Sequence, residues 1–399
     1  MNKRILLASS SGNLTSGASW SMLALAECLK QKGYSVAILI PKKGSLVQEC
    51  RRRGMAFVLI RQTTNGWCES VAAKHDTAYR IKQLFRRGIN LVAGLRIDRL
   101  MHRLKPDIVH VNALTCCLPA RAALKNHIPL VWHMREFMEE DLNIRFVNRD
   151  RAFSMLDRAT AVIAISQAVR DKFQGALSRP IQVIHNGIDV ERFYCDREPF
   201  HNDVVEICMA GRIVREKGQE VLLRAAMGLI RKGYRIHTTF IGHVEDEAYC
   251  RGMQEAIDSA GLNGAFEFAG STRNVEDYFR RADIVCVCSA MEAFGWVTVE
   301  GMLSGALVVG NDNGGTAEII TDGETGLLFS NMDPASLAEK LEYAIENTER
   351  ARAIARRGRL HARDRFSAQT NADRIEKVYR QILNQHESGS RVFSDGKEC

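Results

Sequence analysis

The chain has 399 residues, of which 46% are hydrophobic and 26% charged. This is an average soluble composition, at a length that fits two to three domains of roughly 150 residues. Wholesale disorder, collagen and a small disulfide scaffold are excluded, and no apolar run approaches the roughly 18 residues needed to span a bilayer. Eleven cysteines, odd in number and without a C-x-x-C pair, point to reduced thiols in a cytosol-like compartment. The net charge of +8 hides an asymmetry: residues 1–190 carry 29 Lys+Arg against 14 Asp+Glu, and residues 191–399 carry 26 against 33. So basic an N-terminal half invites an anionic partner: nucleic acid, an anionic membrane surface or a phosphorylated substrate.

The apolar stretch Ile5–Ala8 is too short for a signal-peptide core and predicts a first buried strand. A Ser/Gly-rich loop follows, then a helix near Ser19–Gln31 closed by Gly33, and a strand at Val36–Ile40 ended by Pro41. Further strands are predicted at Phe57–Ile60, Ile108–Val111, Leu130–His133 and Ala161–Ile165. Between them, Tyr79–Lys105 sets eight Arg or Lys against the single acid Asp98, with Ile81, Leu84, Phe85, Ile89, Val92, Leu95, Leu100 and Leu104 at helical spacing. Two readings stand: a basic amphipathic helix in a membrane interface, or an ordinary surface helix with a solvated charged face. After Val183–Ile184 and the turn His185–Asp189, a polar stretch runs to Asp203, and the alternation restarts at Val205–Met209, Thr238–Gly242, Phe266–Phe268, Ile284–Val287 and Leu307–Gly310. The last strong helical pattern is Ser367–Leu383, and His386–Cys399 reads as a frayed polar tail. Short apolar runs alternating with helices predict parallel strands buried on both faces. The expectation is α/β: two doubly wound halves facing an interdomain cleft, 1–189 completed by helix 367–383, and 190–366. Ligands of such sheets sit beyond the carboxyl ends of the strands.

The residues just after strands are the informative ones. Ser9–Ala18 is a glycine-rich loop entering a helix, either a plain turn or a place where backbone N–H groups and the helix dipole suit an anion. Gly12 and Gly17 have P-loop spacing, but Ala18-Ser19 replaces the required Lys-Ser/Thr. In the second half, Arg212 and Lys217 bracket a strand-to-helix crossing, either as cations for a diphosphate leaving group or as plain solvated surface charges. Glu292 and Glu300 flank Ala293-Phe294-Gly295-Trp296, offering acceptors beside the donors of a helix N-terminus, a combination that suits a polyhydroxylated ligand. Two carboxylates also fit glycoside hydrolysis, which has no need of the Arg/Lys pair. His243 and Glu245 follow a strand but carry no reading beyond their location.

Taken in order, these pieces resemble the retaining, nucleotide-sugar-dependent glycosyltransferases of family 4, whose domain is called glycosyl transferases group 1 and whose fold is GT-B. The matching segments are Ser16-Gly17, Pro106–His110, Val131–Glu136, Ile165-Ser166, Asn186–Asp189, Gly211-Arg212 with Lys217-Gly218, Glu292–Glu300, Gly314-Gly315 with Glu318, and Gly323 with Gly326–Leu328. The resemblance implies that Arg212 and Lys217 hold the donor diphosphate and that Glu292 contacts the transferred sugar, with the amides of Phe294, Gly295 and Trp296. Glu300 then takes the ribose, His133 lies near the reacting centre, and Gly17 approaches the diphosphate. No metal or other cofactor is implied, and the C-terminal helix is expected to cross back to the N-terminal domain. Two departures stand out: Ser16-Gly17 where the family usually has Gly-Gly, and Asn311-Asp312-Asn313 in place of a Thr/Ser-rich run.

The function implied is transfer of a sugar from a nucleotide diphosphate sugar to a hydroxyl of a glycan or lipid-linked acceptor, with retained configuration and front-face attack. Cell-surface polysaccharide or lipopolysaccharide assembly is the expected setting, in the cytoplasm or on the inner membrane face, with no nucleic-acid partner. Alternatives are a nucleotide-sugar epimerase of related fold, or a non-catalytic basic membrane- or nucleic-acid-binding protein on this scaffold.

Overall fold

A computed structural model describes residues 3–14, 17–64 and 67–394. The chain divides into two compact units, Met1–Gly187 with Ala368–Cys399, and Ile188–Ser367.

The first unit holds β1 (Arg4–Ala8), β2 (Ser35–Ile40), β3 (Ala56–Leu59), β4 (Cys68–Ser70), β5 (Ile108–Val111), β6 (Leu130–Met134), β7 (Ile144–Phe146), β8 (Ala161–Ala164) and β9 (Ile181–Val183). Among the described residues its main sheet runs β3-β2-β1-β5-β6-β8-β9, every neighbouring pair parallel. All residues of β5 and β6 are buried, because helices cover both faces; hence the unbroken apolar runs in the sequence. β4 and β7 form a separate antiparallel ribbon. At three residues each they are too short to show a period, and the sequence reading has no strand there.

The basic segment forms one helix, Thr77–Leu104, capped by Asp76, whose carboxylate accepts from the Tyr79 N–H at 2.7 Å. Its buried face is made by Gln83, Asn90, Ala93, Ile97 and Met101. Ile81, Leu84, Phe85, Leu91, Val92 and Leu95 are instead 50–72% exposed. The apolar stripe of this helix therefore lies largely in solvent, and the helix seats on its unit through the amides Gln83 and Asn90 in its first half and through Ala93, Ile97 and Met101 further on.

The C-terminal helix, Ala368–Ser394, packs on the first helix, Gly17–Gln31. Ala372, Ile375, Val378, Tyr379, Ile382 and Leu383 enter the same core as Ile5, Leu7, Met22 and Leu29. The expected end at Leu383 and the frayed tail from His386 are corrected: the helix continues through Ser394, since propagation beyond a packed stretch costs little in a segment without proline. Residues 395–399 lie outside the described ones. Among the described residues no helix is long and apolar enough to cross a membrane.

The second unit repeats the plan with β10 (Val205–Ala210), β11 (Ile236–Ile241), β12 (Phe266–Gly270), β13 (Ile284–Val287), β14 (Leu307–Asn311) and β15 (Leu327–Phe329). Their order is β12-β11-β10-β13-β14-β15, again all parallel. In both sheets the first strand lies between two later ones, so the chain reverses its winding there, and the loops at its carboxyl end are where such sheets bind ligands.

Ile375 is fully buried where the C-terminal helix meets the N-terminal core. Ile375→Ala is expected to destabilise the first unit by about 2–5 kcal/mol, read as an earlier urea transition by circular dichroism.

Candidate active site

In the second unit the site begins where β10 ends. Arg212 leads into a short turn, Arg215–Lys217, and Gly218 then opens the helix Gln219–Arg231. Gly218 has φ +77°, and a Cβ there would stand 2.3 Å from the Cys288 carbonyl oxygen. Only glycine allows this approach of the turn to the end of β13. The Ala290 N–H donates to the Glu216 carbonyl at 2.9 Å across the same junction.

That contact brings Lys217 and Glu292 together. Lys217 Nζ lies 2.6 Å from Glu292 Oε1, and the Ser289 hydroxyl donates to the same oxygen at 2.7 Å. The loop bearing Glu292 is held from below by the helix Gly314–Ile319. The Gly315 N–H donates to the Glu292 carbonyl at 2.7 Å, and a Cβ at Gly315 would lie 2.1 Å from the Phe294 carbonyl oxygen. The departure Asn311-Asp312-Asn313 has a visible role here. Asn311 Nδ2 donates to the Ser289 carbonyl at 3.1 Å, and Asn313 Nδ2 to the Ala290 carbonyl at 2.7 Å.

The remaining predicted residues fall around this loop. Gly295, at φ +100°, caps the helix Trp296–Leu303, whose first-turn N–H groups have no intrahelical acceptor. The Phe294 side chain is buried edge-on against Trp296 and Phe366, so only its main chain is placed to meet a ligand. Glu300 sits within that helix, partly accessible yet deep enough that burial pushes its carboxyl up to about 7, against the pull of the Arg192 guanidinium. Arg212 is engaged elsewhere: its Nη1 lies 2.5 Å from Glu245 Oε2, both side chains about half exposed. Glu245, which sequence reasoning set aside, is thus the partner of a predicted site cation.

In the first unit Gly17 begins the first helix, while its neighbour Ser16 lies outside the described residues. His133, on β6, is fully buried. His110 Nδ1 lies 2.6 Å from the Tyr379 hydroxyl, and His110 Nε2 is 3.2 Å from His133 Nδ1. Arg135 Nη2 approaches that same Nδ1 at 3.3 Å. Burial, with the Arg135 charge, holds His110 down at about 3 and His133 well below the usual imidazole range, so both are neutral. A guanidinium can only donate. His133 Nδ1 is therefore a lone pair and its proton sits on Nε2. His110 Nε2 must be the second donor to that lone pair, which leaves His110 Nδ1 to accept from Tyr379. The chain of donors ends on the His133 Nε2–H, buried without a hydrogen-bond partner among the described residues.

Arg135 is fixed by Asn112 Oδ1, 2.8 Å from its Nε, and by Asn186 Oδ1. Glu136 accepts from the Leu114 N–H at 2.7 Å, and burial raises its carboxyl to about 8. His110, Arg135 and Asn186 lie within segments that the sequence singled out, but without a role. Tyr379 had no signal there, being one aromatic in a helical stripe. Among the described residues no three His, Cys, Asp or Glu side chains stand together as a metal site.

Glu300 gives a test of this electrostatic setting. Its folded-state value lies above the ordinary 4.5, so folding favours the protonated form. The contribution of Glu300 to wild-type stability therefore falls as pH rises from about 4.5 and levels off above about 7. Glu300→Gln removes that loss: it is expected to match wild type near pH 4.5 and to melt higher at pH 8, by differential scanning fluorimetry.

Two family models match consecutive stretches of the chain: glycosyltransferase family 4 over residues 15–192 and glycosyl transferases group 1 over residues 194–361. The capsular polysaccharide biosynthesis glycosyltransferase CapM of Staphylococcus aureus is 27% identical, over 57% of this chain and 63% of its own length. The D-inositol 3-phosphate glycosyltransferase 1 of Catenulispora acidiphila is 29% identical, over 79% of this chain and 82% of its own. In fold, Anabaena HepE, solved in complex with UDP and glucose, superposes with a TM-score of 0.75 at 20% identity, over 95% of this chain and 99% of that one. With a parallel α/β unit under each of two abutting family matches, the chain belongs to the GT-B glycosyltransferases of family 4.

Proposed function

We propose that the protein transfers a sugar from a nucleotide diphosphate sugar to a hydroxyl of a glycan or lipid-linked acceptor, retaining the anomeric configuration. The observation that carries this is the Lys217–Glu292 pair at 2.6 Å. Without substrate, each group neutralises the other, so neither charge is left uncompensated in a partly dry site. A donor diphosphate, carrying more charge than a carboxylate, draws the ammonium away, and the released Glu292 then accepts from hydroxyls of the transferred sugar. Arg212 joins Lys217 at the phosphates by exchanging Glu245 for them, and Glu300 accepts from the ribose hydroxyls. The amides of 294–296 and the N-terminus of the first helix at Gly17 add fixed dipoles. His133 contributes its Nε2–H as a donor to a sugar oxygen and does not act as a base, because its one lone pair is taken up by His110 and Arg135.

In the step itself the acceptor hydroxyl oxygen bonds to the anomeric carbon on the face from which the diphosphate departs. The bond from that carbon to the phosphate oxygen breaks, its electron pair stays on the phosphate, and the acceptor's proton passes to that phosphate. The growing negative charge is met by Lys217 and Arg212, with no metal or other cofactor. The UDP and glucose held by Anabaena HepE and the activities named for the two relatives support this reading. Surface polysaccharide or lipopolysaccharide assembly on the cytoplasmic face of the membrane is the proposed setting. The exposed apolar stripe of Thr77–Leu104, flanked by Arg80, Lys82, Arg87, Arg96, Arg99 and Arg103, supports attachment to an anionic membrane surface.

A panel of nucleotide diphosphates and their sugars is expected to raise the melting temperature of wild type and not of Lys217→Ala. Turnover, with retained configuration at the product anomeric carbon by NMR, is expected to fall by about 10²–10³ in Lys217→Ala. Stabilisation by no nucleotide, or an epimerised sugar released from donor alone, ends the proposal. Vesicles containing anionic lipid are expected to sediment wild type at low salt, but not Leu84→Glu with Leu91→Glu; equal sedimentation of the two removes the membrane part.

A further inference from the structure

A cavity of about 890 Å³ lies within the first unit at the carboxyl ends of β1, β2, β3 and β5, bounded on its outer side by the helix Thr77–Leu104. Five cations reach it: Lys42 and Lys43 after β2, Arg61 after β3, and Lys82 and Arg86 on the helix. No aspartate or glutamate lines it, and none of the five is ion-paired with a carboxylate among the described residues. Like charges gathered without counter-charge repel one another, and the arrangement is stabilised only when an anion arrives.

The walls are built to keep this geometry. A Cβ at Gly12 would lie 2.2 Å from the Lys42 carbonyl oxygen, so the loops after β1 and β2 touch backbone to backbone. The Leu46 N–H donates to the Gly12 carbonyl at 3.0 Å, and the Leu14 N–H to the Ser45 hydroxyl at 2.9 Å. On the other side, Asn90 pins the helix to the loop after β3, its Oδ1 accepting from the Thr63 N–H at 3.0 Å and its Nδ2 donating to the Thr63 carbonyl at 2.9 Å. Ser9, Ser10, Thr63, Thr64 and Thr115 add hydroxyls to the lining, which suit the oxygens of a phosphate or of a neighbouring sugar.

The same rim is apolar on its helical side. Phe85 and Ile89 line the cavity one turn apart, with Leu59 opposite. From Phe85 the exposed stripe continues over Ile81 and Leu84 in one direction and Leu91, Val92 and Leu95 in the other. Cationic floor and greasy rim are thus continuous, and a small hydrophilic anion would leave the rim unused.

We infer that this cavity is the acceptor site and that it takes a phosphorylated amphiphile, with phosphate among Lys42, Lys43, Arg61, Lys82 and Arg86 and the apolar chain leaving along Phe85 and the helix stripe. This rests on the glycosyltransferase reading and names the class of acceptor for it. The cavity lies in the first unit and the residues proposed for donor diphosphate binding lie mainly in the second, so the two are separable by mutation.

The test measures binding by calorimetry with three probes: dodecyl phosphate below its micellar concentration, inorganic phosphate, and dodecyl maltoside, which is uncharged. Dodecyl phosphate is expected to bind at least about tenfold more tightly than either of the others. Lys42→Ala with Lys43→Ala and Arg61→Ala, all at exposed positions, is expected to weaken it by about tenfold or more, and to leave stabilisation by UDP unchanged. Leu84→Ser with Phe85→Ser is expected to bring dodecyl phosphate down to the level of inorganic phosphate. Equal binding of dodecyl maltoside, or an undiminished response in the triple variant, overturns the phosphate site. Equal binding of the two phosphates overturns the amphiphile. Dodecyl phosphate binding without any response to nucleotides supports this site and counts only against the donor reading.

Discussion

Backbone must touch backbone where the loops of the second unit meet, and the rest of the site follows from that close approach. Gly218 lies against the Cys288 carbonyl, Gly314 against Glu292 and Gly315 against Phe294, each at a distance no Cβ could occupy. Because the three loops close up in this way, a lysine from the turn after β10 and a glutamate from the loop after β13 reach one another across 75 positions of sequence. Side chains then lock the arrangement: Asn311 and Asn313 tie down the carbonyls of 289 and 290. An ion pair held by such a frame costs little further ordering entropy.

The first unit solves a different problem, that of keeping titratable groups inside a hydrophobic sheet. Two histidines, an arginine and a tyrosine share its interior, and a charged imidazole there would lack solvation. Burial therefore keeps both rings neutral, and the one group that is a donor in every state, Arg135, sets the direction of the whole chain of hydrogen bonds. The outcome is an N–H at His133 Nε2 with nothing to receive it among the described residues. An unsatisfied buried donor costs about 1–3 kcal/mol. The anchor of this chain, Tyr379, comes from the C-terminal helix, so the last segment of the sequence shapes chemistry at the centre of the first unit.

The outer surface of that unit carries the mark of its charge asymmetry. The helix Thr77–Leu104 has an amphipathic pattern, but its apolar residues point outward, and the seat against the unit is formed by Gln83, Asn90, Ala93, Ile97 and Met101. Periodicity shows that a helix has an apolar face; it does not show what covers that face. Here the stripe adjoins a cavity lined by cations, so charge and hydrophobicity occur together where a phosphorylated amphiphile would need both.

The amino-acid pattern by itself determined the class of fold, because continuous apolar runs alternating with helices leave parallel sheets as the one way to bury both faces. It also singled out the places where glycines and charges cluster just after strands, as at Arg212, Lys217 and Glu292. Three strands of three residues, β4, β7 and β15, escaped it because so short a run has no period, and Tyr379 escaped it because a buried aromatic in a helical stripe looks like packing. Only the tertiary structure decided who pairs with whom: Lys217 with Glu292 but Arg212 with Glu245, and His133 with His110 and Arg135. Such pairings depend on loop ends that lie far apart in the chain and meet through the packing of whole sheets, and local propensity carries no record of that distance.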